Sequence, residues 1–279
     1  MIIRTLAASA LALVLASTAA PAADTGEIVT GAMTELMVNK NVGAIDTYFA
    51  EPYVQHNQQV PTGLDALKGL AGQVIAGNPD FEYTLIRSFA DGDTGFVHGI
   101  YTGFGPEPLV AFDVFRVDGG KIVEHWDNLQ PVAAPNPSGR SQTDGPTDAT
   151  DRDKTDANRA LVTEFINEVL VGGAYDRMPA YFDGDNYIQH NANIGDGLSG
   201  LGSALEEMAK AGMSMRFTRN HRVLADGNFV LAMSEGVIGE KPMAFYDLFR
   251  VENGKIAEHW DVIAPILPAS EAANTNGKF

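Results

Sequence analysis

The sequence predicts an α+β protein built twice. Each of two tandem domains lays N-terminal helices on a curved antiparallel sheet and leaves a cone-shaped cavity between them. Three observations predict it. The 16-residue stretch FDVFRVDGGKIVEHWD at 112–127 recurs at 246–261 as YDLFRVENGKIAEHWD, with 11 positions identical. Tyr-x-Gln-His-Asn occurs at 53–57 and 187–191, with the same offset of 134 residues, so the duplicated unit is a whole domain. In each half the apolar residues first recur at helical spacing and then at period two, the order of an α+β domain.

In the first half, Ile28, Met33, Leu36 and Met37 mark a helix, with Thr25 available to cap it. A short helix over 44–49 follows, then an extended segment around Pro52 and Tyr53. Leu64, Leu67, Leu70, Ala71 and Val74 share one face of a third helix. Alternating runs at 81–89, 96–102, 109–117 and 121–127 read as strands, the last two joined by the turn Asp118-Gly119-Gly120. The second half repeats this order from 158, with strands at 215–223, 229–235, 243–251 and 255–261.

The predicted boundaries are a signal peptide at 1–23, domain 1 at 24–133, a linker at 134–155, domain 2 at 156–268 and a loose tail at 269–279. Residues 134–155 hold almost no large apolar side chains, so little burial is available to offset their ordering entropy. The apolar run at 6–16 follows Arg4 and precedes the small-residue site Ala20-Pro21-Ala22. It is too short to span a bilayer and reads as a cleaved secretory signal. A periplasmic or secreted protein is expected, without membrane attachment after cleavage. The open sheet faces are expected to pair as an intrachain pseudo-dimer.

With 279 residues, 45% hydrophobic content and no cysteine, the chain is long enough for two cores without disulfides. A net charge of −17 argues against a nucleic-acid partner, which requires a basic surface. No P-loop, dinucleotide fingerprint or nucleophile elbow lies between a strand and a helix.

Asp113 and Asp247 sit in mid-strand among apolar residues, where a carboxylate is costly unless it is paired or its pKa rises. They are candidates for acid/base work or for structural ion pairs. His56 and His190 come from Tyr-x-Gln-His-Asn. A His–Asp pair lining one cavity would move a proton alpha to a carbonyl. The competing role is a histidine bonded to backbone beneath the third helix. Trp126 and Trp260, the only tryptophans, are either core wall or a platform for a planar substrate. Tyr53, Tyr187, Phe115 and Phe249 complete the expected binding wall. Alternation places His125 and Asp127 opposite Glu124 and Trp126, where they are candidates for the seam between the sheets. His125-x-Asp127 lacks a third ligand at a recognisable spacing, so no metal site is expected.

Through Tyr-x-Gln-His-Asn and Phe-Arg-Val-x-x-Gly-Lys-Ile-x-Glu-His-Trp-Asp, each half resembles the SnoaL-like polyketide cyclases of the nuclear transport factor 2-like superfamily. The resemblance implies the cystatin-like cone and a cofactor-free reaction, with Asp113 and Asp247 as acid/base of an aldol or isomerisation step. The superfamily also holds non-catalytic members, and fold alone does not choose among them. Two functions therefore stand: a cyclase or isomerase acting on a small hydrophobic carbonyl compound, or an extracytoplasmic module binding a small hydrophobic ligand. An Asp and a His facing one another across a cavity favour the first.

Overall fold

The computed structural model describes residues 24–279. The expected signal peptide lies outside the described residues. In domain 1, α1 (Thr25–Met33) runs on through a wider turn at Thr34–Val38, and α2 (Ala44–Tyr48) leads into β1 (Phe49–Gln55). Next come α3 (Leu64–Leu70), β2 (Glu82–Asp91), β3 (Thr94–Thr102), β4 (Leu109–Asp118) and β5 (Lys121–Pro131). Asp24, not Thr25, caps α1, its carboxylate accepting from the Glu27 amide at 2.8 Å. Thr25 instead donates to the Gly92 carbonyl.

Domain 2 repeats the plan with α4 (Thr155–Phe165), β6 (Ile188–Gln189), α5 (Gly197–Lys210), β7 (Met215–Asp226), β8 (Phe229–Ile238), β9 (Lys241–Glu252) and β10 (Lys255–Pro265). Its short second helix is replaced by a 3-10 turn, Tyr175–Ala180, which contains Pro179. The sheets have matching orders, β1-β5-β4-β3-β2 and β6-β10-β9-β8-β7. In each, the first strand pairs parallel to the last while the remaining pairs are antiparallel. No helix among the described residues is long and apolar enough to cross a membrane.

Both faces of each sheet are covered, by different partners. Ile28, Val29, Ile45, Phe81 and Phe115 form the core between the helices and the concave face of sheet 1; Val162, Phe165, Phe182 and Phe249 do so in domain 2. The other two faces pack together through Phe112, Val114 and Trp126 of sheet 1 and Tyr246, Leu248 and Trp260 of sheet 2. The chain is thus an intrachain pseudo-dimer. Asn128 pins the seam by donating to the carbonyls of Ala244 and Val262 at 3.0 and 2.6 Å.

The segments expected to be a linker and a loose tail are both laid against the opposite domain. After β5, the Asn136 amide donates to Gln189 and Ile194 of domain 2, and Arg140 pairs with Asp196. After β10, Asn274 donates to Asn57 and Val60, and Asn276 to Gln55, of domain 1. Polar side chains bonded to loop carbonyls hold these arms. A count of apolar residues cannot register such contacts.

Candidate active site

Strand alternation resolves the hairpin motif into two sites on opposite faces of each sheet. Trp126 and Glu124 point to the seam, while His125 and Asp127 point into the cone with Asp113, Phe115 and the β1 residue Gln55. The candidacy of His125 and Asp127 for the seam is corrected; of the two roles open to the tryptophans, they take the core one, at the seam, and form no platform in the cone. Both sheet faces are buried, so hydrophobic alternation cannot say which one looks inward.

His56 and His190 do not meet Asp113 and Asp247. Each lies at the seam, stacked on the neighbouring tryptophan: His56 on Trp126 at 4.7 Å and His190 on Trp260 at 4.6 Å. Nε2 of His56 faces Glu124 at 2.9 Å, and Glu124 accepts from Arg116 at 2.7 Å. His190, Glu258 and Arg250 repeat the chain at 2.8 and 2.7 Å. From across the seam Arg222 covers Trp126 and Arg87 covers Trp260, at 4.3 and 4.4 Å from the ring centres. Nδ1 of His56 faces the Gly277 carbonyl, and Nδ1 of His190 faces Ser141 and Asp144. These histidines fasten the arms to the sheets. Their backbone contact comes from an arm, not from the segment beneath the third helix.

The histidine that the cone brings to Asp113 is His125, with Nε2 3.1 Å from Asp113 Oδ1 and Nδ1 3.1 Å from Gln55 Oε1. In domain 2, His259 meets Asp247 and Gln189, both at 3.0 Å. The glutamine oxygens are identified by the Asn57 and Asn191 amides, which donate to them. Both ring nitrogens of each histidine therefore face acceptors. Burial alone would lower the His259 pKa, but the Asp247 hydrogen bond and the charges of Asp261 and Asp247 outweigh it and raise it. Asp127 and Asp261 complete the clusters, each accepting from the adjacent asparagine at 2.6 and 2.7 Å. Burial pushes the carboxyls of Asp113 and Asp261 above the usual range. Phe115 and Phe249 stack under His125 and His259, and Tyr53 and Tyr187 lie in the two cone cores.

In each cone, one donor atom from each of Asp, His and Asp lies within 4.8 Å of the other two, a set of the kind that holds a cation. The third member, Asp113 or Asp247, comes from the neighbouring strand, which is why spacing along β5 or β10 does not disclose it. A depression of about 560 Å³ lies outside both cones, between α1, Ser88 and Arg152.

The two clusters differ in what surrounds them. Strand register matches Tyr101 of domain 1 to Gly236 of domain 2, since they pair across from Leu109 and Met243. By the same pairing Tyr83 corresponds to Phe217. Tyr101 donates to Asp113 Oδ2 at 3.0 Å, whereas the buried Asp247 Oδ2 has no partner among the described residues. Leu67 and Ala71 of domain 1 are 7% and 0% exposed, but their counterparts Leu201 and Leu205 on α5 remain half-buried. α3 packs on β1, while α5 makes no extensive contact with any strand.

Fold and site together define a tandem α+β cone protein with a buried Asp–His–Asp cluster in each half. The chain belongs to the SnoaL-like domain family, whose profile matches residues 30–125 and 162–259. Its sequence matches no curated protein. Similar solved structures include a candidate ketosteroid isomerase from Kribbella flavida, 17% identical over 41% of this chain and 83% of that one, with a TM-score of 0.35. A protein from Mesorhizobium loti of the nuclear transport factor 2-like type is 21% identical over 39% and 95%, at 0.34. A candidate polyketide cyclase from Acidithiobacillus ferrooxidans is 18% identical over 40% and 92%, at 0.33.

Proposed function

We propose that the protein is a cofactor-free enzyme of the cyclase or isomerase type, moving a proton alpha to a carbonyl in a small hydrophobic substrate. The observation that carries this is the free Oδ2 of Asp247, buried beside His259 and Asp261. Asp247 is the base. Its Oδ1 is held by His259, which leaves Oδ2 to accept a proton. Asp261, with its pKa raised by burial, is the acid that returns a proton to the enolate or aldol oxygen. Two carboxyls beside one histidine in a single buried site supply the groups an acid/base pair needs. Family membership supports the class and leaves the substrate open.

Mass-spectrometric identification of small molecules carried by the native protein, followed by turnover of what is found, tests this. Asp247→Asn is expected to lower kcat by about 100-fold or more. Turnover unchanged in that variant removes Asp247 from the mechanism. The periplasm or exterior is the proposed location, supported by the sequence of 1–23 alone. N-terminal sequencing of the exported protein checks it.

A further inference from the structure

The duplication supplies an internal comparison of one site in two states. In domain 1 both oxygens of Asp113 are used: Oδ1 by His125 and Oδ2 by the Tyr101 hydroxyl. In domain 2 His259 takes Oδ1 of Asp247 in the same way, and Oδ2 has no donor among the described residues. The position that supplies the donor in domain 1 is Gly236 in domain 2. It cannot carry a side chain, because a Cβ there would lie 2.3 Å from the Arg216 carbonyl oxygen and 3.0 Å from Phe245. Phe217, at the Tyr83 position, removes the second phenol as well. Domain 1 thus fills its own cone with hydroxylated rings, Tyr83 and Tyr101, whose centres are 4.6 Å apart.

A buried carboxylate oxygen without a donor is costly, and a hydrogen bond to a charged group is the stronger kind. We infer that the domain 2 cone takes a ligand carrying a phenolic or enolic hydroxyl, which donates to Asp247 Oδ2 as Tyr101 donates to Asp113. At Asp113 Tyr101 already supplies that hydroxyl, so domain 1 takes no ligand there; the Oδ1 of Asp127 and of Asp261, without a hydrogen bond among the described residues, is common to both cones and does not distinguish them. Asp247 Oδ2 is sealed from solvent, so entry requires apolar side chains to part. α5 is the element able to yield, with Leu201, Leu205 and Met208 only half-buried along its inner face. The ligand class rests on the proposed chemistry only in so far as an enol is the species such a site forms.

Calorimetric titration of the full chain with 2-naphthol, and separately with 2-methoxynaphthalene, tests the inference. One molecule of 2-naphthol per chain is expected. The ether, equal in shape but without the O–H, is expected to bind at least tenfold more weakly, as is 2-naphthol to Asp247→Asn. Asp113→Asn is expected to leave the 2-naphthol affinity within twofold. Equal binding of naphthol and ether, two sites per chain, or no naphthol binding overturns the inference, and the ether comparison requires no variant to fold. Asp247-dependent turnover alongside any of these results would leave the acid/base chemistry standing. Hydroxyl-dependent binding at Asp247 with Asp247-independent turnover would overturn that chemistry instead.

Discussion

His190 lies flat on Trp260, with ring centres 4.6 Å apart and planes 7° from parallel. Its side chain is 1% exposed and that of its partner Glu258 is 2%, against 7% and 18% for His56 and Glu124. The same motif therefore sits deeper at the seam in domain 2 than in domain 1.

Removing His190 leaves the buried Glu258 with Arg250 but without its second hydrogen-bond partner. His190→Ala is expected to cost on the order of 3 kcal/mol in urea unfolding at neutral pH. His56→Ala is expected to cost less, because Glu124 retains solvent whereas Glu258 does not. Equal losses would contradict the difference in burial.

Asp261 offers a test of opposite sign. Its folded pKa lies above the ordinary 3.8, so the stability linked to its neutral form is full below that value and is lost as pH rises toward the folded one. Asp261→Asn keeps an acceptor for Asn191 and removes the charge. Its Tm is expected to exceed that of the parent at pH 7, with the gap closing near pH 4. A variant less stable than the parent at pH 7 would show that the charge is well compensated.

His259 behaves as a retained cation. Its folded pKa exceeds the ordinary 6.5, so its stabilising contribution is full below that value and falls away as pH climbs through the folded pKa. Nitrogen NMR at pH 6.5 is expected to show both ring nitrogens protonated, and a neutral tautomer there would refute the assignment.

Deleting residues 269–279 removes the Asn274, Asn276 and Lys278 contacts with β1, the loop after it and Asp127. Amide exchange is expected to quicken at least tenfold across 53–62 while the Gln189 region of domain 2 keeps its protection. Unaltered exchange at 53–62 would mean that the tail contributes nothing to that edge.

The repeat, the element order and the paired sheets were legible because each is written as periodicity. The site was less so. Asp113 and Asp247 stand out as carboxylates within apolar strands, but their partners are fixed by which sheet face turns inward, and two buried faces give the same alternation. The exchange of Tyr101 for Gly236 is hidden for a different reason. The hairpin motifs repeat at 134 residues, but pairing of β3 and β8 with their neighbours corresponds at 135, so simple alignment sets Tyr101 against Glu235. Arg116 and Arg250 pair across their hairpins with Glu124 and Glu258.

The two arms also impose an order in time. A nascent chain presents domain 1 first and would ordinarily complete it first. Here the segment that closes domain 1 around His56, with Gly277 and Lys278, is synthesised after the strands of domain 2. Domain 2 receives its closing strap, around Ser141 and Asp144, before its own first helix has been made. Synthesis therefore finishes the second domain before the first, which locks only when the segment from Asn274 to Lys278 folds back onto it.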